Sequence, residues 1–276
     1  MPGTSIKDIV KEKYGRIART SGSCCPPSPS CCDTSRDADE TGLRLGYSES
    51  DLTAAPAEAN LGLGCGNPLA LASLQSGETV LDLGSGAGFD CFLAARRIGP
   101  TGKVIGVDMT MDMITKAREN AARGGYGNVE FRLGEIEDLP VESEAVDIVI
   151  SNCVINLSPH KDRVFQEAYR TLRPGGRIMI SDIVLLEDLP RAVKTSVEAY
   201  VGCVAGASLK RDYLREIEQA GFRDVRVLEE RVFFSTVSPQ DPLIREILTK
   251  LDISPQELRR VAQNVVSINV TGTKGE

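Results

Sequence analysis

Residues 79 to 183 alternate short apolar segments with amphipathic ones, and this alternation constrains the fold more than any other feature of the chain. The short segments predict five strands, at residues 79–83, 103–107, 129–133, 146–151 and 177–183. The intervening segments predict helices that end at about residue 98, cover residues 111–123, and run from about residue 161 to 172. Strands that alternate with helices form a mainly parallel sheet with helices on both faces. The sequence therefore predicts a doubly wound α/β fold.

The segments on either side of this region predict a helical arm before it and a smaller α+β region after it. Residues 1–20 carry apolar side chains at helical spacing, whereas residues 21–41 are rich in Ser, Pro and Cys and cannot bury a core. The later patterns predict helices at residues 190–207, 209–220 and 242–263, and strands at residues 225–229 and 265–271. We therefore predict three parts: an arm at 1–66, a central sheet domain at 67–185, and a C-terminal region at 186–276 whose first helices form a lid.

Charge and hydropathy exclude several classes of protein. The net charge is −7, with acids and bases interspersed, so the chain lacks the concentrated basic face that nucleic-acid binding needs. No apolar run reaches the length that crosses a membrane, and the N-terminus has neither a signal-peptide core nor the acid-poor pattern of a transit peptide. We expect a cytoplasmic protein without membrane or nucleic-acid partners. In that reducing compartment, its eight cysteines favour ligation or redox chemistry over structural disulfides.

Three glycines at alternate positions, Gly84, Gly86 and Gly88, follow the first predicted strand. Asp82 is the next-to-last residue of that strand. Glycines allow a tight turn and bring backbone N–H groups close to a ligand. Asp108 ends the second predicted strand 20 residues after Gly88 (108 − 88), where a carboxylate accepts hydrogen bonds from a ribose diol. The pattern favours a nucleotide-containing cofactor. NAD binding, and acids that merely cap strand ends, are the alternatives.

This acid and glycine run resembles the first motif of class I methyltransferases, a Rossmann-like fold whose cofactor is S-adenosylmethionine. A dinucleotide site usually has its third glycine two residues further on, to pack against a pyrophosphate that this cofactor lacks. The segment at 134–136 resembles the part of the methyltransferase fold that contacts adenine, and the segment at 172–176 resembles its late turn. The resemblance implies further cofactor contacts from four residues: Met109, Glu135, Ile136 and Asn152.

Four of the cysteines lie in or beside the predicted sheet domain. Cys153 directly follows the fourth predicted strand, and ligands bind at the carboxyl ends of the strands in an open parallel sheet. Cys203 lies among small residues in the predicted lid, and Cys65 is flanked by two glycines. For each of these three, a ligand role and a place in the core are equally open. Cys91 lies in the apolar run 89–95, so we expect it to be a small buried hydrophobe.

Five segments together resemble arsenite methyltransferases: residues 64–66, 81–88, 107–110, 151–157 and 200–206. The similarity runs from about residue 10 to residue 221, and the stretch Ser-Asn-Cys-Val-Ile-Asn-Leu is specific to that family. The resemblance implies that Cys65, Cys153 and Cys203 bind trivalent arsenic. It also implies that a further N-terminal cysteine takes part in binding or redox cycling. That role falls to one of the four cysteines in the arm, namely Cys24, Cys25, Cys31 or Cys32.

The chemistry that the resemblance implies follows from the softness of the ligand. Trivalent arsenic prefers thiolates, as soft metals do, and three sulfurs leave it one lone pair that can take the methyl group of S-adenosylmethionine. No proton leaves this nucleophile, so no general base is needed. The single histidine, His160, accordingly reads as a surface residue. Arsenite and methylarsenite, as thiol conjugates, would be the substrates, and a thiol such as thioredoxin or glutathione would be the reductant.

Two other functions remain open from the sequence. The first is a methyltransferase for a carbon or oxygen of a quinone, a sterol or another small molecule, which would give the three cysteines no joint role. The second is a thiol-rich metal sensor or buffer that binds zinc through the arm's cysteine pairs. Adjacent cysteines suit a tetrahedral zinc site poorly, because such sites use spacings of two or more residues.

Overall fold

A computed structural model describes residues 5–20, 34–236 and 255–276. Its centre is a seven-stranded sheet in the order β3-β2-β1-β4-β5-β7-β6. The strands in chain order are Thr79–Leu83 (β1), Lys103–Asp108 (β2), Val129–Leu133 (β3), Val146–Asn152 (β4), Leu172–Leu185 (β5), Arg223–Val232 (β6) and Val265–Thr273 (β7). The first five strands run parallel, and β7 is antiparallel to both β5 and β6. The predicted doubly wound α/β fold is confirmed, with β1 and β3 at their predicted limits.

Helices cover both faces of this sheet. Before and within the parallel region they are Ile6–Arg19 (α1), Thr34–Arg44 (α2), Glu49–Ala54 (α3), Pro68–Leu71 (α4), Phe89–Ile98 (α5), Met111–Gly124 (α6) and Lys161–Thr171 (α7). The later ones are Arg191–Lys194 (α8), Val197–Val201 (α9), Lys210–Gln219 (α10), Phe233–Thr236 (α11) and Pro255–Asn264 (α12). Two large apolar clusters lie on the two faces of the sheet. This double burial explains why the central strands are continuously apolar rather than alternating.

The first helix begins and ends where its sequence specifies. The Ser5 side chain accepts a hydrogen bond from the Asp8 backbone N–H, and the Asp8 carboxylate accepts one from the Ser5 backbone. This capping box satisfies two of the N–H groups that a helix start leaves unpaired. The helix packs against α6, and the buried side chain of Val10 joins the cluster that contains Cys65 and Cys203. The arm's helix is therefore packed onto the sheet domain.

The structure corrects one helix prediction, that for residues 190–207. Only Arg191–Lys194 and Val197–Val201 are helical in this stretch. Cys203 has a φ of +63°, which a right-handed helix does not allow. At Gly206 an added Cβ would lie 2.1 Å from the Asn156 carbonyl oxygen. The chain therefore turns closely around β4 instead of continuing as a helix.

Two further predictions meet the structure only in part. The turn predicted at residues 174–176 lies within β5 as an irregularity, where Gly175 has a φ of +76° and the pairing with β4 shifts register. Most of the helical insertion predicted at 242–263 lies outside the described residues, and α12 covers its end. Among the described residues, no helix is long and apolar enough to cross a bilayer.

Candidate active site

The strand order reverses between β1 and β4, so the carboxyl ends of these two strands border a crevice of the kind that binds ligands in open α/β sheets. Gly84 leaves β1 with a φ of +69°, and an added Cβ there would lie 2.4 Å from a methyl carbon of Val154. Val154 follows β4 directly. The glycine run and the Cys153 segment therefore touch each other, and only glycine fits between them.

Asp108 lies at the end of β2, across from the glycine run. Its carboxylate accepts hydrogen bonds from the backbone N–H groups of Gly86, at 3.0 Å, and Thr110, at 2.8 Å. Burial raises the pKa of Asp108, and these two N–H groups offset part of that rise. Gly86 has a φ of +52°, and an added Cβ there would meet nothing within 4 Å. The turn at Gly86 therefore has open space beside it for a ligand.

Two buried carboxylates lie deeper in the same crevice. Asp82 accepts a hydrogen bond from the Cys91 thiol at 3.1 Å, and Asp90 accepts one from the Tyr47 hydroxyl at 2.6 Å. Burial and the repulsion between the two acids raise the pKa of Asp82, and burial raises that of Asp90. Nearby, the buried Ser85 hydroxyl has no hydrogen-bond partner in the part of the chain that the structure describes. Among the described residues no cation pairs with Asp82, so the pocket fits a ligand with a cationic amino group.

The sequence analysis missed Asp90 and Tyr47. The available signal for Asp90 was its place in the first turn of α5, two residues after Gly88, where an acid would face the same turn as the glycines. Tyr47 gave no such signal, because it lies in the arm, far from the sheet in sequence. Cys91 is fully buried, as expected, although its thiol donates to Asp82 rather than only filling space.

Asn152, at the end of β4, joins the two halves of the crevice. Its side-chain amide donates to the Gly66 carbonyl at 2.9 Å and to Asp90 at 3.2 Å. Its Oδ1 accepts a hydrogen bond from the Cys65 backbone N–H at 3.0 Å. Asn152 therefore holds the glycine-flanked Cys65 segment in place, a role that the sequence did not indicate.

Helix α1 lies over the segment that follows β3. Lys7 and Lys11 donate to the Glu135 carboxylate at 2.8 and 3.0 Å, and Lys7 also lies 2.8 Å from Glu137. Hydrogen bonds from both lysines lower the pKa of Glu135. Ile136 is buried in the core. The predicted adenine contact at Glu135 and Ile136 stays a prediction, and the two lysines are additional residues at that position.

The three candidate arsenic ligands come together from distant parts of the chain. The Sγ atoms of Cys65 and Cys153 and a carboxylate oxygen of Asp182 all lie within 4.8 Å of one another. The Cys203 thiol donates a hydrogen bond to the Cys153 carbonyl oxygen at 2.9 Å. Met109 packs against the same cluster, so the cysteines adjoin the cofactor crevice. Asp182, which the sequence analysis did not single out, lies among them.

Two of these cysteines have unusual backbone conformations. Cys153 has a φ of +60° and Cys203 a φ of +63°, in the left-handed region that residues with a Cβ seldom adopt. Such conformations cost of order 1–3 kcal/mol each and cluster at functional sites, where the surrounding structure imposes them. The strain turns both thiols toward one place, and it marks these two positions independently of their chemistry.

The pKa values of all three thiols are raised. Burial raises the pKa of Cys65 to about 11. A hydrogen bond with Cys203 lowers the pKa of Cys153, but contact with Cys65 and burial raise it more, so it lies well above the ordinary value. Contact with Cys153 and burial do the same for Cys203. A soft ion that binds here must therefore displace protons from the thiols.

Tyr14 of α1 closes the site from above. Its hydroxyl donates to the Val201 carbonyl at 3.2 Å, and burial together with the nearby Cys203 and Cys153 raises its pKa. His160 is exposed at the start of α7, as expected. The four cysteines of the arm, Cys24, Cys25, Cys31 and Cys32, lie outside the described residues.

Comparisons with known proteins agree with this geometry. A family model described as a methyltransferase domain matches residues 74–221. An arsenite methyltransferase of Halobacterium salinarum is 51% identical over 80% of this chain and 58% of its own length. One of Aquipseudomonas alcaligenes is 36% identical over 82% of this chain and 64% of its own length. The chain thus spans about three fifths of the length of these curated relatives.

A solved structure extends the match. An arsenic(III) S-adenosylmethionine methyltransferase from Chlamydomonas reinhardtii superposes with a TM-score of 0.60 at 31% identity, over 91% of this chain and 75% of its own. The chain therefore belongs to the arsenite methyltransferase family, within the class I S-adenosylmethionine-dependent methyltransferases.

Proposed function

We propose that this protein transfers methyl groups from S-adenosylmethionine to trivalent arsenic bound by Cys65, Cys153 and Cys203. The observation that carries the proposal is the convergence of three thiols beside the cofactor crevice. Two of the three are held there in strained left-handed conformations. A packing role alone gives no reason for that strain, because a glycine would fill a left-handed position at no steric cost.

The crevice residues fit S-adenosylmethionine, which when bound supplies an electrophilic methyl group. Asp108 would hold the ribose hydroxyls, and Asp82 would receive the cationic amino group that its buried carboxylate now lacks. The glycine run Gly84, Gly86 and Gly88 would let the chain approach the ligand closely. Met109, Glu135, Ile136 and Asn152 would complete the cofactor site. Asn152 would also orient the Cys65 segment, through the hydrogen bond that it accepts from that backbone N–H.

The thiols would load arsenic by ligand exchange. Arsenite or methylarsenite would arrive as a conjugate with small thiols, and each protein thiol would form one As–S bond while one small-molecule thiolate leaves. The proton of the protein thiol passes to the departing sulfur, so the exchange balances without a base. Three protein sulfurs would then hold arsenic that arrives as arsenite, whereas methylarsenite, which keeps its As–C bond, would exchange only two of its ligands and be held by two. In both cases the lone pair would be directed at the crevice. Catalysis would be mostly proximity and orientation.

The remaining parts of the proposal concern the arm's cysteines, the reductant and the cellular compartment. One of Cys24, Cys25, Cys31 and Cys32 would take part in binding or redox cycling, and a thiol such as thioredoxin or glutathione would regenerate the cysteines. A thiolate that attacks a disulfide must be accessible, which suits a segment of small and polar residues. We place the protein in the cytoplasm, where such reductants keep thiols reduced.

The direct test is methylation by the purified protein. It would be incubated with arsenite, labelled cofactor and a thiol, and the arsenic products would be separated. We expect labelled methylarsenicals from the wild type and none from Cys153→Ser or Cys203→Ser, since a hydroxyl is a poor ligand for a soft ion and is not ionised at neutral pH. Both variants should still bind the cofactor.

Cys91→Ser is the matched control for thiol loss. It removes a fully buried thiol that donates to Asp82 and belongs to a different apolar cluster from the three arsenic cysteines, so arsenite binding should be unchanged. Labelled product on a quinone or sterol, with none on arsenite, would contradict the arsenic proposal and support the small-molecule alternative. Zinc that copurifies in the arm with no methylation of any substrate would support the sensor.

A further inference from the structure

Asp182 is a buried acid that the proposed methyl transfer does not use. It lies in β5 and is fully buried, and one of its carboxylate oxygens lies within 4.8 Å of the Sγ atoms of both Cys65 and Cys153. Burying a carboxylate without a partner costs several kcal/mol. An apolar residue at this position would pack beside the thiols without that cost. Packing beside the thiols therefore does not explain why this residue is an acid.

Three hydrogen bonds hold this carboxylate in one orientation. Asn156 Nδ2 and the Ile183 backbone N–H donate to Oδ1, at 2.8 and 2.9 Å, and the Tyr213 hydroxyl donates to Oδ2 at 3.0 Å. Each carboxylate oxygen has two lone pairs, so at least one acceptor site remains. Metal ligands in proteins are usually held in this way, by hydrogen bonds from residues that do not themselves touch the metal.

The two sulfurs and the carboxylate form a mixed donor set. Trivalent arsenic is satisfied by three sulfurs and leaves a lone pair in place of a fourth ligand. Zinc and chemically similar dications take four ligands in a tetrahedron, and they accept sulfur together with carboxylate oxygen. The Cys203 thiol, next to the Cys153 carbonyl, is at hand as a further sulfur. The carboxylate therefore favours a divalent cation of this kind over trivalent arsenic.

We propose that a thiophilic divalent cation of the zinc class binds to Cys65, Cys153 and Asp182 and excludes arsenic from the site. The competition rests on the proposed function, whereas binding of the cation does not. The Cys65 segment borders a small cleft of about 20 Å³ that Glu229 and Asn269 also line, which is enough for one water-sized group. Dications would then inhibit arsenic methylation by occupying the same sulfurs.

The experiment compares the affinities for Zn²⁺ and for arsenite in the full chain. All proteins carry Ser at positions 24, 25, 31 and 32, so that the arm's thiols cannot take the metal. Zn²⁺ affinity is measured by competition with a chromophoric chelator, and arsenite binding is measured in parallel on reduced protein. Circular dichroism melts show that each variant is folded.

Asp182→Asn keeps the shape of the side chain and removes its charge. We expect Zn²⁺ to bind about tenfold or more weakly, with arsenite binding within twofold of the parent. Tyr213→Phe removes only one hydrogen bond to Asp182, and it should weaken Zn²⁺ binding less. If Asp182→Asn does not fold, the tetrahedral absorption bands and sulfur charge-transfer band of bound Co²⁺ in the parent, and their loss in Cys65→Ser, provide the test.

Four outcomes separate this inference from the proposed function. Weaker Zn²⁺ binding with intact arsenite binding in Asp182→Asn supports the inference. Equal Zn²⁺ affinity in the parent and in Asp182→Asn overturns it, and so does a Co²⁺ spectrum without sulfur bands. Tight Zn²⁺ binding by the parent, with no arsenite binding either by the parent or by the chain whose arm cysteines are intact, leaves the metal site standing and overturns the proposed function.

Discussion

The two halves of the candidate site are built in different ways. The centre of the cofactor half is compact in sequence, because Asp82 and Asp108 are 26 positions apart (108 − 82) and lie on adjacent strands. The thiol half spans 138 positions (203 − 65), and its three cysteines come from the arm, the end of β4 and the segment after α9. Local sequence therefore encodes the first half, and only the folded chain assembles the second.

The backbone differs between the halves as well. Left-handed conformations fall on Gly84, Gly86 and Gly88 in the cofactor half, but on Cys153 and Cys203 in the thiol half. Glycine adopts such angles at no steric cost, whereas other residues lose about 1–2 kcal/mol. The cofactor half is thus relaxed and the thiol half is strained. The four predictions below test whether the two halves can be altered separately.

The largest effect is expected at Gly84, where the halves touch. Gly84→Ala adds a Cβ that overlaps Val154 at a φ of +69°, so the free energy of unfolding should fall by about 2–4 kcal/mol. The affinities for cofactor and for arsenite should fall together, because the overlap displaces both segments. Urea unfolding and titration calorimetry would measure these quantities.

Gly125→Ala is its matched control. Gly125 has a φ of +68° but nothing within 4 Å of an added Cβ. The variant should therefore lower the free energy of unfolding only through the strained backbone, by about 1–2 kcal/mol. Both ligand affinities should be unchanged. If the two variants lose the same stability, the contact between Gly84 and Val154 does not join the halves.

The next effect separates the halves. Asp108→Ala should weaken cofactor binding by roughly 1–3 kcal/mol, through the loss of hydrogen bonds to a charged acceptor. Arsenite binding should stay the same, because Asp108 contacts the glycine turn and Thr110 rather than a thiol. Calorimetric titration with each ligand would test this. Unchanged cofactor affinity in a folded variant would remove Asp108 from the cofactor site.

A smaller effect is expected where α1 covers the cofactor half. Lys7→Ala leaves Glu137, which is only 6% exposed, without its cation, so we expect a loss of about 1 kcal/mol in the free energy of unfolding. Arg16→Ala on the same helix breaks an exposed pair with Glu12, and its loss should be about 0.3–0.5 kcal/mol. If the two variants lose the same free energy of unfolding, helix α1 is held over the cofactor half by packing alone and not by the pair of Lys7 with Glu137.

The smallest effect lies at the edge of the sheet, away from both halves. Hydrogen bonds from Arg132 and Lys103 lower the pKa of Glu130 to about 2. Since the folded-state pKa lies below the ordinary value of 4.5, this stabilisation is present above pH 4.5 and is lost as the pH falls toward 2. Glu130 is 44% exposed, so Glu130→Gln should cost less than about 1 kcal/mol at pH 7 and nothing at pH 2. A constant difference across that range would contradict the assignment.

Much of the fold could be read from the sequence, and the reasons are local. Short segments that lie between glycines predicted β1 and β3 at their observed limits. The prediction failed at residues 190–207, where helical spacing was present but the contact of Gly206 with Asn156 requires a turn. A close approach between segments 50 positions apart (206 − 156) has no trace in the periodicity of either one.

The candidate site shows the same division between local sequence patterns and long-range contacts. The sequence by itself determined the glycine turn after β1 and the acid at the end of β2, because both depend only on neighbouring residues and on parallel pairing; it did not indicate Asp90 or Tyr47. It also supplied the cysteines as candidates. Only the tertiary structure brought Cys65 and Cys153 to Asp182, held Cys65 through Asn152, and placed Tyr14 above the thiols. Those contacts depend on long-range packing, which no local pattern encodes.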